Sequence, residues 1–328
     1  MERARSLGSG RTSSLRYSAR RSSACTDASW PWSLQSEGVG SAQNLVAVVA
    51  WRSLPSNLPL IEGWRRLGIR AELLSPPDAC RWLGRGDVAL VRLDVTPALD
   101  SVEAGLDELA TLEGRGVRVL NRPAALLVAH DKWQTALRLA EAGIPQPRTL
   151  HTTSLDEVRA LEPPFVLKPQ FGSWGEDVMR CRDASEVERC LAIIRERGWF
   201  RRHGVLVQDL VSPLGYDLRV VVAGGRVVGA GRREAAAGEW RNNVALGGRW
   251  ISAAPPRAAA RLAIDAARAI GADLVGVDLL PDPGRGYVVL EVNGAVDFNE
   301  EDEALAGRSI YADIAQALAL GQTQLVAA

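Results

Sequence analysis

Apolar positions recur with two periods along the chain, and the way these periods alternate predicts its layers. Leu45–Trp51 is an almost unbroken apolar run of strand length and reads as a buried strand. Leu58–Leu67 has helical spacing and stops before Gly68. Ile69–Leu74, Asp87–Leu93 and Val117–Leu120 read as further strands. Val102–Glu113 reads as a helix, with Ser101 as its N-cap and Gly114 as its stop. Strands alternating with helices predict a parallel α/β domain over residues 44–122. No G-x-G-x-x-G follows the first strand, so a dinucleotide site is not supported.

Ala129–Ala142 reads as one helix closed by Gly143, with Pro145 beyond it. A helix over Ser154–Leu161, a strand over Phe165–Lys168, the glycine-bearing loop Gln170–Gly175, a strand over Val178–Cys181, a helix over Ser185–Arg197 and a strand over Val205–Leu210 follow. They make a small α+β module. The remainder is strand-rich, with one hairpin of Asp217–Ala223 and Arg226–Arg233 and another of Asp273–Leu280 and Tyr287–Asn293. A helix over Arg257–Ile270 separates the two, and Tyr311–Leu320 is the final helix. There is no internal repeat.

Composition narrows the function classes. The chain has 328 residues, with 39 Lys plus Arg against 39 Asp plus Glu, so the formal net charge is zero. A balanced charge argues against broad binding to nucleic acid or anionic membranes. No apolar run reaches the ~18 residues of a membrane helix. Cys25, Cys80, Cys181 and Cys190 are scattered and far from the three histidines, which argues against a disulfide scaffold, a zinc site or a histidine triad. A reducing cytoplasm is the implied setting. Residues 1–43 hold eleven Ser and six Arg against three acids, without amphipathic period. They read as a dispensable disordered tail or an over-extended start, with a transit peptide as the alternative and a secretory signal excluded.

Only two of the 39 basic residues are lysine, Lys132 and Lys168. In so arginine-rich a chain, a lysine is expected where a compact ammonium cannot be replaced by a planar guanidinium, chance survival being the other reading. Lys168 ends a strand and precedes Gly172-Ser173-Trp174-Gly175, a loop able to cover a polyphosphate, with a plain hairpin turn as the other reading. No P-loop is present.

In the last hairpin, pairing symmetric about Gly284–Arg285 sets Asp278 opposite Glu291, with Glu291 and Asn293 on one face. Like charges in that position repel unless a cation lies between them. Two carboxylates and an amide oxygen suit Mg²⁺ or Mn²⁺; a solvated polar face is the other reading. Symmetric pairing in the first hairpin sets Asp217 opposite Arg232. Between the hairpins, Trp240-Arg241-Asn242-Asn243 and Gly247-Gly248-Arg249 combine Arg, amides and glycines, which suits a phosphate or carboxylate as well as a solvated loop.

Taken together, these segments resemble the ATP-grasp superfamily, and within it the RimK-like amino-acid (α-L-glutamate) ligases. The resemblance spans about Asn121 to Leu320. It rests on Asp131-Lys132 with Gly143-Ile144-Pro145, Phe165–Pro169 with the glycine loop, Val207-Gln208-Asp209, Asp217-Leu218-Arg219, Trp240–Asn243, and Gly276-Val277-Asp278 with Leu290–Asn293. It implies an N-terminal α/β domain followed by an α+β ATP-grasp fold, whose two subdomains (123–204 and 205–328) grip ATP. By motif position it implies that Lys132 and Lys168 contact phosphates, that Ser173, Trp174 and Gly175 form a mobile cover, and that Gln208, Asp209 and Leu210 line the adenine and ribose pocket. Asp217 would sit at the nucleotide, Arg241 and Asn243 at the transferred phosphoryl group, and Asp278, Glu291 and Asn293 at Mg²⁺ or Mn²⁺.

The implied activity is ATP-dependent carboxylate–amine ligation through an acyl phosphate. The substrates would be a small-molecule or peptide carboxylate and an amino acid such as glutamate. Alternatives are a ligase acting on an amino-group carrier protein of lysine or arginine synthesis, and a non-catalytic ATP-binding module; a homo-oligomer stays open. After Asn293, where the family often has Ser-Ser-Pro-Gly, this chain has Gly294-Ala295-Val296-Asp297-Phe298, so glutamylation of a ribosomal protein is not implied.

Overall fold

The computed structural model describes residues 44–51, 56–211, 214–297 and 309–321, and the expectation for residues 1–43 lies outside them. The first layer is a parallel sheet of β1 (Val46–Val49), β2 (Ala71–Leu74), β3 (Val88–Val91) and β4 (Arg118–Leu120), in the order β2-β1-β3-β4. β1 and β3 are buried at every position, which explains their continuous apolar runs. α1 (Asn57–Arg66), α2 (Pro76–Trp82) and α3 (Leu106–Gly114) complete the layer.

Several helices depart from the sequence reading, α8 (Gly198–His203) among those it does not expect. α2 is not among the expected helices; it opens on Pro76-Pro77, proline being tolerated in a first turn, and Ser75 caps it by accepting from Asp78 N. α3 starts at Leu106, not Val102, because Val102 is drawn into a bridge with Val95 and Gly105 takes a φ of +131° before the first turn. The expected helix 129–142 is two helices, α4 (Pro123–His130) and α5 (Lys132–Glu141). Asp131 breaks them with ψ near 100° and caps α5, its carboxylate accepting from Trp133 N and Gln134 N at 3.0 Å.

A four-stranded antiparallel sheet follows, ordered β5 (Thr149–Thr152), β8 (Val205–Asp209), β6 (Phe165–Lys168), β7 (Met179–Cys181). α6 (Leu155–Arg159), α7 (Ala184–Arg195) and α8 (Gly198–His203) cover it, with Leu191, Ile194 and Trp199 buried beneath them. The third sheet is antiparallel and five-stranded, ordered β11 (Arg249–Ser252), β10 (Arg226–Glu234), β9 (Tyr216–Ala223), β12 (Leu274–Asp282), β13 (Gly286–Asn293). α9 (Arg257–Ile270) packs its Ala259, Ala263, Ala266 and Ala267 stripe on this sheet, and the small side chains allow a close approach. The last helix, α10 (Ile310–Ala317), packs against α1, where Trp64 Nε1 donates to Tyr311 O at 3.0 Å.

Both long hairpins carry a bulge, and each bulge decides a pairing at the site. In β12–β13 the pairs near the turn are offset by one residue from symmetry, Leu279 lying opposite Val289. The offset is absorbed at Leu290, so that Asp278 does lie opposite Glu291 as expected. In β9–β10 the shift falls at Val228, and Asp217 lies opposite Arg233 instead of the expected Arg232. A bulge exchanges the face of every residue beyond it.

Candidate active site

The antiparallel sheets face each other across a cleft of about 950 Å³, its open mouth included. Of the residues to which the resemblance gives a role, all line it except Trp174 and Asn293; Gly247, Gly248 and Arg249 do not. Trp174 is 46% exposed at the tip of the glycine loop, with φ +59°.

Two lysines arrive from different elements but are strapped together. Lys132 opens α5, and its backbone N donates to Gln170 O at 3.0 Å; Gln170 Nε2 donates to Asp131 at 2.7 Å. The first turn of α5 is thereby fixed to the segment following Lys168. Lys132 Nζ donates to Gly172 O and lies 3.7 Å from Glu291 Oε2. Lys168 is 5% exposed and donates to Gln208 Oε1 at 2.7 Å. Burial pushes its ammonium down to about 8; Glu291 opposes that shift and Lys132 adds to it.

Beneath the lysines lies a buried charge network. Asp278, in central strand β12, lies opposite Arg219 on one side and Glu291 on the other. Arg219 grips it in a fork of 2.7 and 2.8 Å, and Arg233 adds a third contact at 2.8 Å. Burial alone would raise this carboxyl, but the two guanidiniums hold it well below the usual carboxylate range. Asp217 is 4% exposed and takes a second fork from Arg233 at 2.7 and 2.8 Å. Burial pushes its carboxyl up, and Arg233 works against that. The cation that relieves Asp278 is therefore arginine, so compensating like charges does not by itself call for a metal. Arg233 and Arg219 are the site residues the sequence reading understated, the first because the bulge moved the register.

The donor set still fits a hard cation. Asn293 Nδ2 lies 3.2 Å from Glu291 Oε1 and 3.4 Å from Asp278 Oδ2, so the three side chains converge on one point. A half-turn of the amide would present Oδ1 there, leaving two carboxylates and an amide oxygen. Among the described residues, no group of three His, Cys, Asp or Glu side chains could hold a metal ion.

The far wall is the loop between β10 and β11. Arg241 is pinned by Glu239 at 2.9 and 3.0 Å and reaches across the cleft to Gly175 O at 3.0 Å. The side-chain hydrogen bonds from Arg241 bring Glu239 down to about 2, against the upward push of burial and with backbone donors adding to the effect. A Cβ at Gly175 would come within 2.9 Å of Asn243 Oδ1. Asp209 points outward to Arg148 at 3.3 Å, and Arg249 pairs with Glu234 on the surface. No helix among the described residues is long and apolar enough to cross a membrane.

Residues 129–318 match the family model of the RimK-like ATP-grasp domain. Tetrahydromethanopterin:alpha-L-glutamate ligase of Methanosarcina acetivorans is 31% identical over 239 residues, covering 63% of this chain and 72% of its own. Glutamate–LysW ligase ArgX of Sulfurisphaera tokodaii is 31% identical over 220 residues, covering 66% and 76%. The crystal structure of the RimK domain ATP-grasp protein from Sphaerobacter thermophilus superposes with a TM-score of 0.63 at 23% identity, over 84% of this chain and 98% of that one. The chain belongs to the RimK-like ATP-grasp family and is an ATP-dependent, ADP-forming carbon–nitrogen ligase.

Proposed function

We propose that the chain joins the α-amino group of an amino acid, glutamate first among them, to a small-molecule or peptide carboxylate. A carboxylate oxygen attacks the γ-phosphorus of ATP and ADP departs. The amine nitrogen then attacks the acyl carbon, phosphate leaves, and the ammonium proton is lost. The observation that carries this reading is the convergence of both lysines of the chain on one cleft, opposite Glu291 and Arg241. Such a site works by positioning and charge neutralisation and needs no nucleophilic side chain.

In this reading Lys132 and Lys168 take phosphate oxygens, and Ser173, Trp174 and Gly175 cover them. Gln208, Asp209 and Leu210 border the base and ribose. Asp217 acts through Arg233, while Arg241 and Asn243 meet the transferred phosphoryl group. Asp278, Glu291 and Asn293 would hold Mg²⁺, which when bound neutralises phosphate charge. The working units are residues 44–122, 123–204 and 205–328.

A relative whose name specifies LysW supports a second acceptor, an amino-group carrier protein. ADP release by purified protein against a panel of carboxylates, carrier protein and amines tests both readings. Glutamate-dependent release supports the ligase, and ATP binding without turnover on any pair would make it a non-catalytic module.

A further inference from the structure

The two lysines of the cleft belong to different sheets. Lys168 ends β6 of the four-stranded sheet, whereas Lys132 opens α5, whose Leu139 shares an apolar cluster with Ala263, Val277 and Val292 of the five-stranded sheet and its helix. Neither sheet by itself sets the distance between the two ammonium groups. The chain just after Lys168 does so. Lys132 N donates to Gln170 O at 3.0 Å, and Asp131 forms an antiparallel bridge with Phe171. Gln170 Nε2 closes this joint by donating to Asp131 Oδ2 at 2.7 Å.

Asp131 is buried, and its Oδ1 is taken by Trp133 N and Gln134 N at the cap of α5. Its second oxygen has the Gln170 amide as donor, and a side chain without an N–H there would leave a buried carboxylate oxygen unpaired. The same stretch is held from its other side. Phe171 is buried and meets His203 edge-on at 5.2 Å, and His203 Nε2 donates to Asp100 O at 2.6 Å. Gly172 comes next, and its carbonyl accepts from Lys132 Nζ. Residues 170–172 therefore grip Lys132 at both its backbone nitrogen and its ammonium. Gln170 and Asp131 are themselves not among the residues lining the cleft.

We propose that Gln170 and Asp131 are positioning residues that set the spacing of Lys132 and Lys168, so that both ammonium groups meet one polyphosphate together. They act through the lysines and touch no nucleotide. Spacing matters because a misplacement of about 1 Å in a charged site can cost about a hundred-fold. The proposal rests on the reading of both lysines as phosphate ligands.

The test is equilibrium dialysis of labelled ADP with Mg²⁺ against the full chain. Gln170→Glu sets a second carboxylate against Asp131, so the joint should part and ADP should bind about ten-fold more weakly at neutral pH. As pH falls, the carboxyl pair takes up a proton that restores a donor, and the deficit relative to wild type should shrink. Combining Asp131→Asn with Gln170→Glu exchanges donor and acceptor. Asn caps a helix as well as Asp, so this double variant should return to within about three-fold of wild type. A joint that only supports the fold would lower the urea midpoint and leave ADP affinity, and its pH dependence, as in wild type. Wild-type ADP affinity in Gln170→Glu, or a deficit that ignores pH and persists in the double variant, overturns the proposal. Lys168→Met examines the reading beneath it. Unchanged ADP affinity there would take Lys168 off the phosphates, whereas a loss there beside normal binding by Gln170→Glu refutes the positioning role alone. Should Gln170→Glu fail to fold, Gln170→Leu should still weaken ADP about three-fold, and wild-type affinity in that variant would be equally fatal.

Discussion

Asp278 and Glu291 lie directly opposite each other across β12 and β13, yet their surroundings are unlike. Asp278 is sealed under two guanidiniums, whereas Glu291 keeps 20% side-chain exposure beside Lys132. The first should carry the fold and the second the chemistry. Glu291→Gln is expected to abolish ADP release with an unchanged urea midpoint. Asp278→Asn is expected to cost about 3–5 kcal/mol of stability, because it strands buried guanidinium charge. Parallel activity and urea titrations separate the two.

Lys168→Arg is expected to lower kcat by roughly ten- to a thousand-fold, equivalent to about 1.4–4 kcal/mol. The ammonium is 5% exposed and seated on Gln208, so a wider fork has no room without moving the glycine loop. Steady-state ADP release, with circular dichroism confirming the fold, checks this. Near-wild-type turnover would mean that the lysine persists by chance.

Nucleotide affinity should fall as pH rises through about 8, where the buried Lys168 ammonium loses its proton. Phosphate favours the charged form, so ADP binding near that pH should take up protons. Calorimetry in buffers of different ionisation enthalpy reads the uptake. The sign for stability is opposite. The folded pKa lies below the unfolded one, so the unfolded chain holds more protons between about 8 and 10.5, and this group's contribution to stability rises across that window.

Gly175→Ala is expected to reduce kcat, weaken ADP binding and lower global stability. The position has φ +75° and its Cβ would strike the Asn243 amide. The left-handed conformation alone costs about 1–2 kcal/mol for a residue with a Cβ. ADP titration by tryptophan fluorescence would report the change through Trp174.

The layers were legible because period-2 and period-3.6 patterns are strong in buried strands and in α9. The lysines stood out against an arginine-rich background, and the Asp278–Glu291 pairing followed from turn symmetry. Its success depended on a bulge at Leu290 that no residue pattern announces. The same kind of irregularity at Val228 turned Arg232 into Arg233. The break at Asp131 was hidden because the apolar spacing runs on through it; only the capping carboxylate and its tie to Gln170 divide the helix.

The hydrogen bond from Arg241 to the Gly175 carbonyl has a kinetic consequence. It joins two residues that line the cleft from different subdomains, so on the proposed reading it is expected to part as nucleotide enters and again as spent nucleotide leaves. Residence time and bond-making are then governed at different places, and turnover can be paced by escape while the reactive step stays fast. Added viscogen would slow such an enzyme, and weakening this single clasp would quicken product departure while exposing the acyl phosphate to water.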